Sequence, residues 1–91
     1  MTGEPEGKKR QTLSVVLMYH AYVPKETSGS VWVIEGEYDA DGNDPYPPEH
    51  PKTMKSFGPT TFEAAGEIKD SLASDLRAQG YEVFEVVLAD D

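Results

Sequence analysis

The stretch TTFEAAGEIKDSLASDLRAQG, residues 60–80, decides the fold, because its apolar side chains recur every three or four residues. That spacing places them on one side of an α-helix, where they can pack against a sheet. Thr60 followed by Glu63 fits a capping box at the start of the helix, and Gly80 provides a left-handed stop at its end. The stretch predicts a helix of about five turns. Its apolar stripe consists of Phe62, Ala65, Ile68, Leu72 and Leu76.

The segments on either side of this helix have the alternating pattern of β-strands. Residues 12–23 are dense in apolar and β-branched side chains on both faces, which is typical of a central strand. Residues 31–39 and 81–88 also alternate, and residues 53–57 form a short candidate strand that the Gly-Pro pair at 58–59 should end. The sequence therefore predicts an α+β fold. We expect an antiparallel sheet of three to four strands with one long amphipathic helix on one face, in the order β-β-(β)-α-β.

The domain organisation is simple. Residues 1–11 hold almost no apolar side chain and should be a disordered tail. Residues 12–91 should form a single α+β domain, because a chain of 91 residues falls within the usual size of one domain. Within it, residues 39–52 contain four of the seven prolines and should be an exposed loop rich in Pro and Asp.

The charge of the chain restricts its partners. Its 17 Asp and Glu residues outnumber its 8 Lys and Arg residues, which gives a net charge of −9. This balance argues against direct binding of nucleic acid or a membrane surface and favours a basic protein partner. The absence of cysteine excludes disulfides and thiolate zinc sites. No apolar stretch approaches the roughly 20 residues that span a bilayer, and we expect a soluble, cytoplasmic protein.

Acidic side chains gather on three segments: the end of the second strand, the proline-rich loop and the exposed side of the helix. If these segments lie close together, they form one negative surface with aromatic neighbours, which suits recognition of a basic protein. The same acidity could also serve solubility alone, or adaptation to a salty cytoplasm. The candidate partner-binding residues are Glu35, Glu37, Asp39, Asp41, Asp44, Glu63, Glu67, Asp70, Trp32, Tyr38 and Tyr46.

Signals for catalysis or metal binding are weak. Asp39, Asp41 and Asn43 alternate like the first ligands of a calcium loop, but the later glycine and glutamate of such a loop are not at their positions. His20 is typical of a packing residue in a strand, and His50 should be solvated. We therefore predict no catalytic residue, no metal ligand and no cofactor. A small-ligand or metal-binding protein, or a minor enzyme, built on His20 or the Asp-rich loop is one alternative.

One helix covers only one face of a sheet, so the opposite face must be polar or must meet another surface. Several side chains of the first two strands exceed what one helix can bury, and they are Tyr22, Val31, Trp32, Val33 and Tyr38. This surplus favours a homodimer or another partner at the sheet. A self-assembling structural subunit that uses an exposed sheet face is the second alternative.

The stretch FGPTTFEAAGEI, residues 57–68, resembles the strand-to-helix joint of HicB-like antitoxins. In that family a Gly, a spacer and a Thr precede a Glu-Ala pair that opens an amphipathic helix, as Gly58 to Ala65 do here. The resemblance implies a small acidic dimerising protein that masks a basic RNA-cleaving toxin. Residues 46–51 stand in place of the family's Pro-Asp-Leu-Pro-Gly segment. No site residue is transferred from the family.

These observations favour one functional class. The sequence predicts a non-enzymatic acidic protein-binding module that blocks a basic nucleic-acid-binding or nuclease partner. Antitoxins, immunity proteins and phage-borne anti-defence inhibitors are of this type. No direct contact with nucleic acid or a membrane is expected.

Overall fold

A computed structural model describes residues 11–42 and 44–90, with the side chain of Asp90 left out. The predicted tail lies outside the described residues except for Gln11, and Asn43 of the candidate calcium loop also lies outside them. The regular elements are β1 Thr12–His20, β2 Gly29–Glu35, β3 Thr53–Thr60, α1 Phe62–Ala78 and β4 Glu82–Asp90, with short 3₁₀ turns at Lys25–Thr27 and Pro47–Glu49.

The four strands form one mixed sheet in the order β3-β2-β1-β4. β2 pairs antiparallel with both β1 and β3, whereas β4 pairs parallel with β1. Helix α1 therefore connects two parallel strands, β3 and β4, that are separated by the two central strands. The predicted α+β class, the order of elements and the central position of the first strand are confirmed.

The N-terminus of α1 differs from the prediction by one residue. Thr61, not Thr60, is the cap, and its hydroxyl oxygen accepts a hydrogen bond from the Ala64 N–H at 3.1 Å. Thr60 instead ends β3, where it pairs with Gly29. Because the cap lies one residue later, the predicted capping box of Thr60 and Glu63 is wrong. The C-terminal prediction is confirmed, since Gly80 has a φ of +100° just after the helix.

Several strand boundaries also differ from the predictions, among them the ends of β1 and β2. β1 ends at His20 instead of Val23, because the chain turns there towards the Lys25–Thr27 segment. β2 ends at Glu35 instead of Asp39, because Gly36 turns the chain with a φ of +89°.

The Gly-Pro pair at 58–59 does not end β3 as predicted. Gly58 has a φ of +92° and lies where the pairing register between β2 and β3 shifts. A Cβ at Gly58 would stand 2.9 Å from the Gly29 carbonyl oxygen, so glycine permits the close approach of the two strands. Pro59 is tolerated because β3 is an edge strand, where a missing N–H need not interrupt a ladder.

The main core lies between α1 and one face of the sheet. Val15, Leu17 and Val31 of the central strands are fully or almost fully buried against Ala65 and Ala73 of the helix. The predicted helical stripe packs against this cluster. At Gly29 an added Cβ would stand 2.7 Å from the Ala65 Cβ, so glycine lets the first turn of the helix sit directly on β2.

A second apolar cluster lies on the opposite face of the sheet. It consists of Val16, Met18, Trp32, Ile34 and Tyr38, with Val86 and Leu88 packed against it. Of the five side chains predicted to be in surplus, four are buried, so the prediction is wrong for them, whereas Tyr22 in the turn after β1 is 81% exposed. Trp32 is only 9% exposed and Tyr38 only 6% exposed, while Val31 and Val33 are buried on the helix side.

Candidate partner-binding surface

The segment that follows β2 concentrates negative charge. Residues 35–49, here called the acidic loop, contain six carboxylates and neither Lys nor Arg. The acidic side chains are Glu35, Glu37, Asp39, Asp41, Asp44 and Glu49. Most of the described residues of this loop are exposed, but Tyr38 and Pro47 are buried. The loop is thus a charged surface segment with two buried residues, and side chains inside and outside it anchor its backbone.

The first anchor is a buried hydroxyl of β1. Ser14 is fully buried, and its Oγ donates a hydrogen bond to the Gly36 carbonyl oxygen at 2.7 Å. The same Oγ accepts from the Tyr38 N–H at 2.8 Å. The Gly36 N–H donates to the Thr12 carbonyl oxygen at 2.9 Å. These bonds fix the first residues of the acidic loop to a central strand.

The second anchor is the side chain of Tyr38. Its hydroxyl donates to the Pro45 carbonyl oxygen at 2.9 Å and so ties the two halves of the loop together. Burial raises the pKa of the Tyr38 phenol, and Asp44, Tyr46 and Asp39 raise this pKa further. Tyr38 therefore stays a neutral hydrogen-bond donor throughout the neutral pH range.

Two of the loop carboxylates also organise the backbone. Asp44 Oδ2 accepts from the Asp39 N–H at 2.8 Å, and Asp39 Oδ1 accepts from the Asp41 N–H at 2.9 Å. Such local bonds are typical of Asp in turns. Asp39 and Asp44 therefore hold the loop in shape, whereas Glu37, Asp41 and Glu49 present exposed carboxylates.

His50 closes the far end of the loop. Its Nε2 lies 3.7 Å from Asp44 Oδ2, and its Nδ1 accepts from the Lys52 N–H at 3.1 Å. The ring lies against that of Tyr38, with 5.7 Å between centroids. The side chain is largely buried, so the prediction of a solvated His50 is wrong. The loop packs back on Tyr38, and this packing takes the imidazole out of solvent.

Pro47 fixes the remaining part of the loop. The Thr53 hydroxyl donates to the Pro47 carbonyl oxygen at 2.6 Å, and the ring of Pro47 is fully buried. The neighbouring Tyr46 points the other way and is 57% exposed. The loop therefore presents one large aromatic side chain among its carboxylates.

The structure does not join all the predicted acidic residues into one surface. Glu63, Glu67 and Asp70 are exposed on α1, on the face of the sheet opposite the second cluster. The helix begins beside Gly29, at the start of β2, whereas the acidic loop begins at the end of β2. The seven residues of β2 separate these points by about 20 Å of strand.

The three predicted aromatic residues differ in how far their side chains are exposed to solvent. Trp32 is buried in the second cluster and contacts the His20 ring edge-on at a centroid distance of 6.4 Å. Tyr38 is buried within the loop it anchors. Of the three aromatic candidates, only Tyr46 offers a large exposed surface.

Sequence reasoning missed three residues of this region. Ser14 appears in the sequence as an ordinary polar residue in a strand, and no local signal marks it as an anchor. His50 is held by Asp44, six residues away, and the many intervening turn residues conceal that contact. Glu82 lies at the same end of the sheet because it pairs with Thr12, which follows only from the parallel position of β4.

The cations of α1 are engaged elsewhere. Lys69 Nζ and Arg77 Nη1 each lie 2.7 Å from the carboxylate of Glu85 on β4. Hydrogen bonds from Lys69 and Arg77 lower the pKa of Glu85, and the bond to Glu85 raises the pKa of Lys69. These contacts neutralise Glu85 and leave the acidic loop without a basic counterpart from the helix.

The described residues bear on metal binding and on the role of His20. They contain no group of three His, Cys, Asp or Glu side chains placed to hold a metal ion. His20 Nε2 lies 3.1 Å from Ser30 Oγ, which agrees with its prediction as a hydrogen-bonded packing residue. In the part of the chain that the structure covers, no helix has the length and apolar character needed to cross a membrane.

Compared with known protein families, curated proteins and solved structures, the chain matches none of them. The likeness of Gly58 to Ala65 to the HicB-like joint therefore stays a prediction. Function has to be argued from the fold and from the acidic loop.

Proposed function

We propose that this chain is a non-enzymatic binding module whose acidic loop captures a basic protein. The observation that carries the proposal is that hydrogen bonds of the Ser14, Tyr38, Asp44 and Thr53 side chains hold the described part of the loop in place. A loop that is ordered before binding loses less conformational entropy when a partner docks. Its exposed carboxylates are thus arranged in advance.

The chemistry of the loop favours one kind of partner. Six carboxylates without a Lys or Arg repel nucleic acid and attract Lys- and Arg-rich protein surfaces. Surfaces of that kind are typical of proteins that bind nucleic acid. An acidic loop docked there would occupy the positions of phosphates and so would block the partner. Antitoxins, immunity proteins and phage-borne anti-defence inhibitors act as blockers of this type.

Tyr46 gives the loop a second means of recognition. Exposed tyrosines are common among the residues that dominate binding energy, because the ring buries much apolar area at little entropic cost. Tyr46 lies between Pro45 and Pro47, and the burial of Pro47 restricts its motion. We therefore expect Tyr46 to act as the central contact and the carboxylates to orient the partner around it.

A defined basic probe tests the site directly. Amide chemical shifts are followed while a short peptide of alternating Arg and Ser is titrated into the protein at low salt. The proposal expects the largest shifts in residues 35–49, and their loss at high salt because screening weakens exposed charge pairs. The acidic side of α1, at Glu63, Glu67 and Asp70, is the internal control. Equal shifts on α1, or none in the loop, would contradict the proposal.

A further inference from the structure

The two edges of the sheet are built differently. The outer edge of β3 carries Lys55, Gly58 and Pro59, and its pairing with β2 is interrupted by two shifts of register. Charges, prolines and bulges are the features by which proteins prevent an edge strand from pairing with another chain. β4 pairs with β1 in one unbroken register over nine residues and has no Pro, Gly, Lys or Arg. β4 does carry the charges of Glu82, Glu85 and Asp90, but it has none of the prolines, glycines and register shifts of β3, so it is the less protected of the two edges.

The backbone groups of β4 divide between its two sides. The Glu82 N–H donates to the Gln11 carbonyl oxygen, so Glu82 and alternate residues after it point their backbone groups towards β1. The residues between them point outward. Arg77 Nη2 donates to the outward carbonyl oxygen of Val83 at 2.9 Å. Among the described strands nothing pairs with the outward groups of Glu85, Val87 and Ala89.

We infer that β4 pairs antiparallel with β4 of a second copy of this chain, about a two-fold axis at Val87. Val87 would then face its own copy, and Glu85 would face Ala89. Both are pairs of residues with outward backbone groups, as an antiparallel ladder requires. This pairing would join the two sheets into one sheet of eight strands.

Apolar side chains on both faces of β4 support this pairing. Val87 is 61% exposed on the helix side, although valine is among the residues most often buried. Pairing about Val87 brings the two copies of this side chain into contact. On the other face, Val86 would lie opposite Leu88, and both already pack against the second cluster. The second cluster of one copy would then be continuous with the second cluster of the other across the interface.

Charge selects this register over its neighbours. A two-fold axis at Glu85 would oppose two glutamates, and an axis at Val86 would oppose Glu82 to Asp90. Like charges directly opposite one another destabilise a strand pair. The axis at Val87 avoids both contacts, and Lys69 and Arg77 already neutralise Glu85. The centre of the interface is therefore free of net repulsion.

Sedimentation equilibrium tests the inference. We expect an equilibrium between monomer and dimer that shifts towards the dimer as the concentration rises. Val87→Lys should raise the dissociation constant of the dimer at least tenfold. Val23→Lys is the matched control, because Val23 is also exposed but lies in the turn after β1. A protein that stays monomeric at concentrations up to about 1 mM, the upper end of ordinary Kd values, would overturn the inference. Equal effects of the two variants would overturn it as well.

Cysteine crosslinking tests the register. The chain has no cysteine, so single variants report one position each. Hydrogen-bonded antiparallel partners have Cα atoms about 5.5 Å apart, which lies within the range of a disulfide. Val87→Cys should therefore crosslink to its copy faster than Val23→Cys. Faster crosslinking of Val86→Cys than of Val87→Cys would refute the proposed axis.

Self-pairing does not rest on the proposed function, and salt separates the two. Each copy carries a charge of −9, so screening should strengthen the dimer while it weakens binding of a basic partner. Val87→Lys should leave the peptide-induced shifts in residues 35–49 unchanged. Failure of one proposal would therefore be distinguishable from failure of the other.

Discussion

At the scale of single residues, two of the hydroxyl groups that anchor the acidic loop are those of Ser14 and Tyr38. The Ser14 Oγ bonds to both Gly36 and Tyr38, and the Tyr38 hydroxyl bonds to Pro45. Neither role could be predicted from the sequence, because both depend on where the chain turns after β2. The turn itself has a cause in the sequence, because Gly36 is a glycine and can adopt the positive φ that the turn requires.

Tyr38→Phe should loosen the loop without disturbing the core. The ring keeps its packing, while the lost hydrogen bond should lower the free energy of unfolding by about 0.5–1.5 kcal/mol at neutral pH. The pKa of Tyr38 is raised in the folded protein, so its contribution is present below the ordinary tyrosine pKa of about 10 and is lost as pH rises through the folded value. Urea unfolding at neutral and alkaline pH measures both effects.

The comparison with wild type separates Tyr38 from Lys69, because the pKa of Lys69 is also raised and its contribution to stability is also lost at alkaline pH. Wild type should lose more stability than the variant between neutral and alkaline pH. An identical alkaline loss in both proteins would show that the Tyr38 hydroxyl does not hold the loop.

At the scale of elements, the helix and the strands could be predicted from the spacing of apolar residues, but their first and last residues could not. The helical stripe and all four strands were predictable, because a regular spacing of apolar residues can be recognised even when the ends of the element are misplaced by a few residues. Gly36 and Gly58 show why the ends were not predictable. Both have positive φ, yet the first ends a strand and the second lies inside one. The difference comes from the Gly29 backbone that closely approaches Gly58.

Two glycine substitutions should have opposite effects on the free energy of unfolding. An alanine Cβ at Gly29 would stand 2.7 Å from both the Ala65 Cβ and the Phe62 Cα, so the helix must shift. Gly29→Ala should therefore destabilise the protein by about 1–3 kcal/mol. Gly66→Ala should stabilise it by about 0.5–1 kcal/mol, because it lies within the helix and its Cβ would meet nothing within 4 Å.

Urea unfolding of the two alanine variants measures this difference, and each serves as the control for the other. If Gly29→Ala were as stable as wild type, the first turn of α1 would not be seated on β2 as described. If Gly66→Ala were destabilised, the helix would not have open space beside Gly66.

At the scale of the whole molecule, the order of strands decides which charges lie together. β3 returns the chain to the start of β2 before α1 begins, so the helical acids lie far from the acidic loop. This separation could not be predicted from the sequence, because it depends on which strands pair with one another. Pairing through β4 would set the two acidic loops at opposite ends of an eight-stranded sheet, since each loop lies where its own β4 begins.

Two variants of equal net charge test whether the acidic loop is the working surface. Each removes three exposed carboxylates, so both carry −6 instead of −9 and general effects of charge cancel. The loop variant is Glu37→Gln, Asp41→Asn and Glu49→Gln, and the helix variant is Glu63→Gln, Glu67→Gln and Asp70→Asn. Asp39 and Asp44 are left unchanged because they hold the loop backbone.

The most direct measurement is quantitative mass spectrometry of proteins captured by immobilised wild type and by both variants, from lysate of the source cells at low and high salt. We predict a basic nucleic-acid-binding protein that wild type and the helix variant retain equally, and that the loop variant and high salt both release. Equal capture by the loop variant and wild type, or loss only with the helix variant, would contradict the assignment of the acidic loop as the binding surface.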